Sequence, residues 1–153
     1  MLKEAMGETL LINSSRDSSN PKISVVSSLT TPNHMKVFLF RNYNLPINQQ
    51  SHYDGTHKYS VWQAVRASSA APGYYQDFKI EGQLFHDGGV LCNNPTAICI
   101  HEAKQLWPDE ELQCVISVGN GRYSPVEYMN KCESLSIKQK VNRIVGGATS
   151  TES

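Results

Sequence analysis

Neither sign of charge is in excess: fourteen lysines and arginines meet fourteen aspartates and glutamates, for a net charge of zero. A chain without a positive surplus lacks the field that phosphate backbones reward, so nucleic acid is not an expected partner. Cysteine is scarce as well. Cys92, Cys99, Cys114 and Cys132 are too few for a disulfide-built scaffold and form no C-x-x-C pair, so free thiols in a reducing, intracellular compartment are expected. Cys99 and His101 stand close together, but a tetrahedral metal site needs a second such pair and the sequence has none. A calcium loop of the D-x-[DN]-x-[DN]-G kind is also missing. No metal and no cofactor are expected. No apolar run approaches the roughly 18 residues of a membrane span, and no charged-then-apolar leader opens the chain. Any membrane contact would therefore be peripheral.

What is present is an alternation of short strand-like and helix-like segments. With 153 residues and 39% apolar content, the chain can bury one core and is expected to form one domain. Residues 2–6 are helix formers stopped by Gly7. KISVVSSL (22–29) and KVFLF (36–40) are buried strands, and the Thr-Thr-Pro-Asn-His turn between them predicts an antiparallel pair. Residues 41–59 form a long polar loop. Ser60 and Gln63 make a capping box that opens a helix running to Pro72. Its Ala64, Ala67, Ser68, Ala70 and Ala71 would let a neighbouring backbone come close. QLFH (83–86) is a short strand. Asn94 and Pro95 start a helix over 96–107. ELQCVISV (111–118) is an apolar strand ending in Gly119-Asn120-Gly121, and LSIKQKVNRIV (135–145) is an amphipathic helix stopped by Gly146-Gly147. Such alternation predicts a layered α/β fold, a sheet flanked by helices.

The stretch FHDGGVLCNNP (85–95) holds the chemistry. Asp-Gly between apolar steps is a common hairpin turn, yet a hairpin needs a second strand, and here Asn-Asn-Pro and a helical pattern follow at once. Open α/β sheets bind ligands at the carboxyl ends of their strands, where Asp87 falls. Asp87 is therefore a candidate catalytic carboxylate, and Gly88 and Gly89 let the chain turn sharply beside it. The turn at 119–121 also follows a strand and is expected to share Asp87's end of the sheet. His86 would point to the opposite face from Asp87. His101 is expected to be a partly exposed helix residue rather than a catalytic one.

DGG at 87–89 followed by NNP, together with RASSAAPGY (66–74), ISVGNGRY (116–123) and VFLFRNYN (37–44), resembles the carboxyl-terminal half of a patatin-like phospholipase domain of the calcium-independent phospholipase A2 type. The likeness extends over residues 1–150. It implies a patatin-like fold and a lipid acyl hydrolase in which a serine in a G-x-S-x-G elbow attacks the ester. Asp87 would match the aspartate that takes the serine proton without an intervening histidine, and Gly88 and Gly89 the glycines behind it. A serine hydroxyl is a weak nucleophile until a positioned base removes its proton. No two of the chain's glycines are four apart, so no G-x-S-x-G occurs. That predicts an incomplete copy of the domain, residues 1–153 without the nucleophile-bearing amino-terminal part. Met1 would fall inside a longer helix of the family, and Thr149–Glu152 is a capping box with no helix after it. Two functions stay open: a Ser-Asp phospholipase acting on glycerophospholipids at an organelle membrane, this chain supplying the aspartate and being inactive alone, or a truncated, non-catalytic lipid-binding or interaction protein.

Overall fold

The structure, a computed structural model, describes residues 1–119. Its centre is an antiparallel pair: β1 (Ser24–Thr30) and β2 (Met35–Arg41) align along their whole length, from Ser24 opposite Arg41 to Thr30 opposite Met35. Both segments are rich in branched and aromatic side chains that fit a pleated, buried surface. Thr31 closes their turn, its N–H and hydroxyl both donating to the His34 carbonyl at 2.9 and 2.7 Å. β3 (Asp54–Thr56) lies parallel to β2, with Asp54 opposite Phe38 and ion-paired to Lys36. On the other side β5 (Gln83–Asp87) runs antiparallel to β1, and β4 (Phe78–Ile80) antiparallel to β5. The sheet order is β3-β2-β1-β5-β4.

A tight hairpin does occur, but at Glu81-Gly82 rather than Asp87-Gly88. Both residues have positive φ, 50° and 81°, as a type I′ turn demands of its two central residues. β5 then ends at Asp87, opposite Ser27, and Gly88–Val90 form a 3₁₀ turn with no returning strand. Since β1 runs against β2 and β5, the carboxyl ends of β2, β3 and β5 gather at one end of the sheet.

Helices cover both faces. α2 (Val61–Ser68) seats Ala64 and Ala67 on Leu29, Phe38, Phe40, Ile80 and Phe85. α3 (Thr96–Leu106) sets Ile98 on Val26 and Leu39, which the pleat turns to the opposite face. The expected capping of α2 is present, the Ser60 N–H donating to Gln63 Oε1 at 2.9 Å. Asn94 Oδ1 accepts from the N–H and hydroxyl of Thr96 at the start of α3, at 3.1 and 2.6 Å. α1 (Leu2–Met6) buries nothing and stops at Gly7, which has φ 65°. Among the described residues no helix is long and apolar enough to cross a membrane.

One expected element is corrected. Residues 111–118 form no strand: they are exposed and pair with none of the five strands, Ile116 and Val118 being 81% and 87% exposed. Strand propensity becomes a strand only when a neighbour takes up the N–H and C=O groups. Ser117 does return to the start of α3, its hydroxyl oxygen 2.7 Å from Thr96 Oγ1. Asn120, Gly121, Cys132, the helix expected over 135–145 and the capping box at 149–152 lie outside the described residues.

Candidate active site at the end of β5

Asp87 is held from three directions. Its N–H donates to the Ala70 carbonyl at 3.0 Å, and its own carbonyl accepts from Ser28 Oγ at 3.0 Å. Its carboxylate Oδ1 accepts from the Gly89 N–H at 2.7 Å. The Ala70 bond exists because α2 ends at Ser68, earlier than its alanine-rich sequence predicts, which frees the next carbonyls for β5. Close approach of backbones across small side chains is what the alanines permit: Ser27 Oγ likewise reaches the Ala67 carbonyl at 3.3 Å.

Gly88 is required by contact rather than by backbone angle. It is buried against β1, and a Cβ there would run into the Val26 carbonyl oxygen. The turn continues with the N–H groups of Leu91 and Cys92 donating to the Gly88 carbonyl at 3.2 and 2.8 Å. Gly89 contributes the N–H that fixes the carboxylate. No hydrogen bond among the described residues reaches Asp87 Oδ2.

The neighbouring side chains are engaged or placed differently. Ser27 and Ser28 pair with Asp87 and His86 in the ladder, but their hydroxyls donate to backbone carbonyls, Ser27 Oγ to His86 at 2.7 Å. His86 lies on the opposite face from Asp87, as the alternation predicts, and its Nδ1 is buried without a hydrogen bond among the described residues. His101 is half-buried, accepts from the His52 N–H at 3.5 Å and packs edge-on to Tyr53. Burial, assisted by the neighbouring Cys99, pushes the Cys92 thiol up, away from a reactive thiolate. Among the described residues no three His, Cys, Asp or Glu side chains group to hold a metal.

A second polar cluster, absent from the reading of the sequence alone, sits where β2 ends. Arg41 donates through Nε and Nη2 to the two oxygens of Glu102 on α3, at 2.6 and 3.0 Å. Tyr43 donates to Glu102 Oε2 at 2.8 Å, Ser51 to Glu102 Oε1, and Arg41 Nη2 also reaches Ser51 and the Tyr53 carbonyl. Arg41 and Glu102 are 7% and 2% exposed. Burial works to raise the Glu102 carboxyl, but the bonds from Arg41, Ser51 and Tyr43, with the Arg41 charge, hold it below the usual carboxylate range. The Tyr43 hydroxyl is pushed up by burial and then by Glu102. Next to them Asn42 is fully buried, taking the Ile23 N–H on Oδ1 at 2.7 Å and donating to Ser14 Oγ and the Pro21 carbonyl. Two signals could have found this cluster: a polar Arg-Asn-Tyr run directly after an apolar strand, and a glutamate one turn beyond Ile98 on the same helix stripe.

Comparison with known proteins bears on the whole arrangement. Calcium-independent phospholipase A2-gamma of Oryctolagus cuniculus is 44% identical over 156 residues, covering 99% of this chain and 19% of the relative. The Homo sapiens protein of that name is 43% identical with the same coverage. Phospholipase A I of Arabidopsis thaliana is 36% identical over 130 residues, covering 66% of this chain and 10% of that protein. The chain thus spans about a fifth of the length of the first two relatives. No solved structure matches it. The family model described as patatin-like phospholipase matches residues 2–100, which include β1 to β5, α2 and the Asp87-Gly88-Gly89 turn. A match of that extent, over an α/β sheet flanked by helices, shows that this chain belongs to the patatin-like phospholipase family.

Proposed function

We propose that this chain supplies the proton-accepting aspartate of a calcium-independent lipid acyl hydrolase that cleaves fatty acyl esters of glycerophospholipids. The observation that carries the reading is the carboxylate of Asp87, set at the end of β5 with Oδ1 held by Gly89 and Oδ2 without a hydrogen bond among the described residues. Family membership and the names of the relatives support the substrate class.

In this reading a serine outside these 153 residues attacks the acyl carbon while Asp87 takes its proton. The alcohol leaves with that proton as the lysophospholipid, and an acyl-serine remains. Water, deprotonated by Asp87, then releases the fatty acid and restores the serine. Gly88 and Gly89 act by shape and by one N–H, the first allowing β1 to lie close and the second aiming the carboxylate. The substrate is met at a membrane surface through peripheral contact, inside the cell.

The test is Asp87→Asn in the longest natural form of the protein, assayed on phospholipid vesicles. The variant keeps shape and loses the proton acceptor, so turnover should fall about a hundredfold or more with unfolding temperature unchanged. Wild-type turnover in that variant would remove Asp87 from the mechanism. Residues 1–153 alone should release no fatty acid, because an aspartate without its nucleophile and oxyanion donors stabilises little of the transition state. Vesicle binding without hydrolysis by the longest form would favour the non-catalytic lipid-binding reading instead.

A further inference from the structure

We infer that Glu102, clamped by Arg41, Tyr43 and Ser51, is a positioning residue for Asp87, acting through α3 and the turn at Gly88–Cys92. This rests on the assignment of Asp87 as proton acceptor.

Asp87 is oriented by two separate supports. Its backbone belongs to the sheet, through Ala70 and Ser28. Its carboxylate belongs to the turn that follows, through the Gly89 N–H. The turn is not part of the sheet. It is pressed on the Val26 carbonyl at Gly88, and Cys92 packs beside Val26, Leu39 and Ile98. From there the chain enters α3, so the turn is bounded by β1 and α2 on its near side and by the placement of α3 on its far side.

Ile98 and Glu102, one helical turn apart, hold α3 to the sheet, with His101 beside them packing on Tyr53. Ile98 sits in a thin apolar layer with Val26 and Leu39, and apolar contact alone is non-directional. Glu102 is held by charged and neutral donors from β2, from Tyr43 and from Ser51 in the loop before β3. A carboxylate gripped on both oxygens in a buried site accepts only one geometry. Glu102 therefore sets the register of α3, and through it the direction of the Gly89 N–H. A carboxylate turned away by a fraction of an ångström is still an aspartate, but no longer in line with its serine.

The experiment uses the longest natural form of the protein with three variants: Glu102→Gln, which keeps size and one acceptor; Tyr43→Phe, which removes a single bond to Glu102; and Leu11→Ala, which removes a buried side chain from the layer under α2, on the face opposite α3. Serine content is titrated with a covalent serine-directed probe, so that kcat is counted per intact site, and amide exchange is read at Gly89 and Asp87. Glu102→Gln should lower kcat about tenfold with KM nearly unchanged, and Gly89 should exchange at least about tenfold faster while Asp87 keeps its protection. Tyr43→Phe should show the same pattern more weakly, and it serves if Glu102→Gln does not fold. Leu11→Ala, compared at equal loss of unfolding temperature, should leave kcat and Gly89 unchanged. Unchanged Gly89 exchange in the Glu102 and Tyr43 variants, or an equal effect from Leu11→Ala, overturns the inference. A folded wild type without hydrolysis would defeat the phospholipase reading alone, and Gly89 exchange would still decide the positioning role.

Discussion

The two faces of the sheet are built on different physics. Under α2 lies an aromatic layer: Phe38, Phe40 and Phe85 meet edge-on or tilted at ring separations of 5.1 to 5.4 Å, beneath the small Ala64 and Ala67. Under α3 the apolar layer is thin, Val26, Leu39 and Ile98, and beside it lies a buried ionic cluster. Area-driven packing resists separation but tolerates sliding, whereas a bidentate ion pair tolerates neither. The aromatic face thus anchors the strand that ends in Asp87, and the polar face indexes the helix that follows it.

The sharpest way to break this contrast is to delete from each face. Phe85→Ala should cost about 3–5 kcal/mol, the range for a fully buried phenylalanine, read as a lowered urea midpoint with little change in slope. Glu102→Leu should cost about 3 kcal/mol, because it leaves Arg41 as an uncompensated buried charge. The faces should differ in rescue. Adding Arg41→Met to Glu102→Leu should recover much of the loss, since apolar replacements of a buried pair are often neutral. Adding Phe40→Ala, from the same aromatic layer, to Phe85→Ala should only deepen it. A double polar variant less stable than the single one would mean that the cluster contributes more than the absence of a stranded charge.

Acid sharpens the same contrast with a smaller effect. The Glu102 carboxyl is depressed in the folded state relative to its ordinary value of 4.5. A depressed carboxyl adds stability that is complete above its unfolded value and disappears as pH falls through the folded one. The urea midpoint should therefore be flat in this component above about pH 4.5 and decline below it. Glu102→Gln should remove that part of the decline. Phe85→Ala should lower the whole curve without changing its shape, and an acid decline identical in wild type and Glu102→Gln would show that Glu102 is not its source.

How much of this was visible in the sequence depends on the distance over which each feature is decided. β1, β2, β5 and the starts of α2 and α3 come from local pattern, caps and a proline, and all were legible, as was the argument that Asp87-Gly88 is not a hairpin. The real hairpin at Glu81-Gly82 was missed, although Gly82 between short alternating runs carried the signal. β3 could not be found: in Asp54-Gly55-Thr56 only the threonine favours a strand, and the strand exists because the edge of β2 offers it partners. Residues 111–118 are the converse, strong propensity with no described partner. The Arg41–Glu102 pair joins positions 61 apart, and no local pattern announces which arginine will meet which glutamate. Gly88 was expected for a sharp turn. Its observed reason is a carbonyl of another strand, again a tertiary fact.

The smallest expected effect tests whether α2 has any directional control over Asp87. Part of the capping box at its amino end is the Gln63 side chain, which accepts from the Ser60 N–H at 2.9 Å. Gln63→Ala should cost about 0.5–1 kcal/mol, the scale of losing part of a cap. That end of α2 is remote in sequence from Ala70, whose carbonyl holds Asp87, and between them the helix is seated by Ala64 and Ala67 on the aromatic layer. Fraying of the first turn should stop at that seat, so kcat per titrated serine should stay within about twofold of wild type. A larger fall in kcat, with Gly89 exchange unchanged and Asp87 exchange accelerated, would mean that the aromatic face also transmits orientation, and the division of labour between the two faces would have to be redrawn.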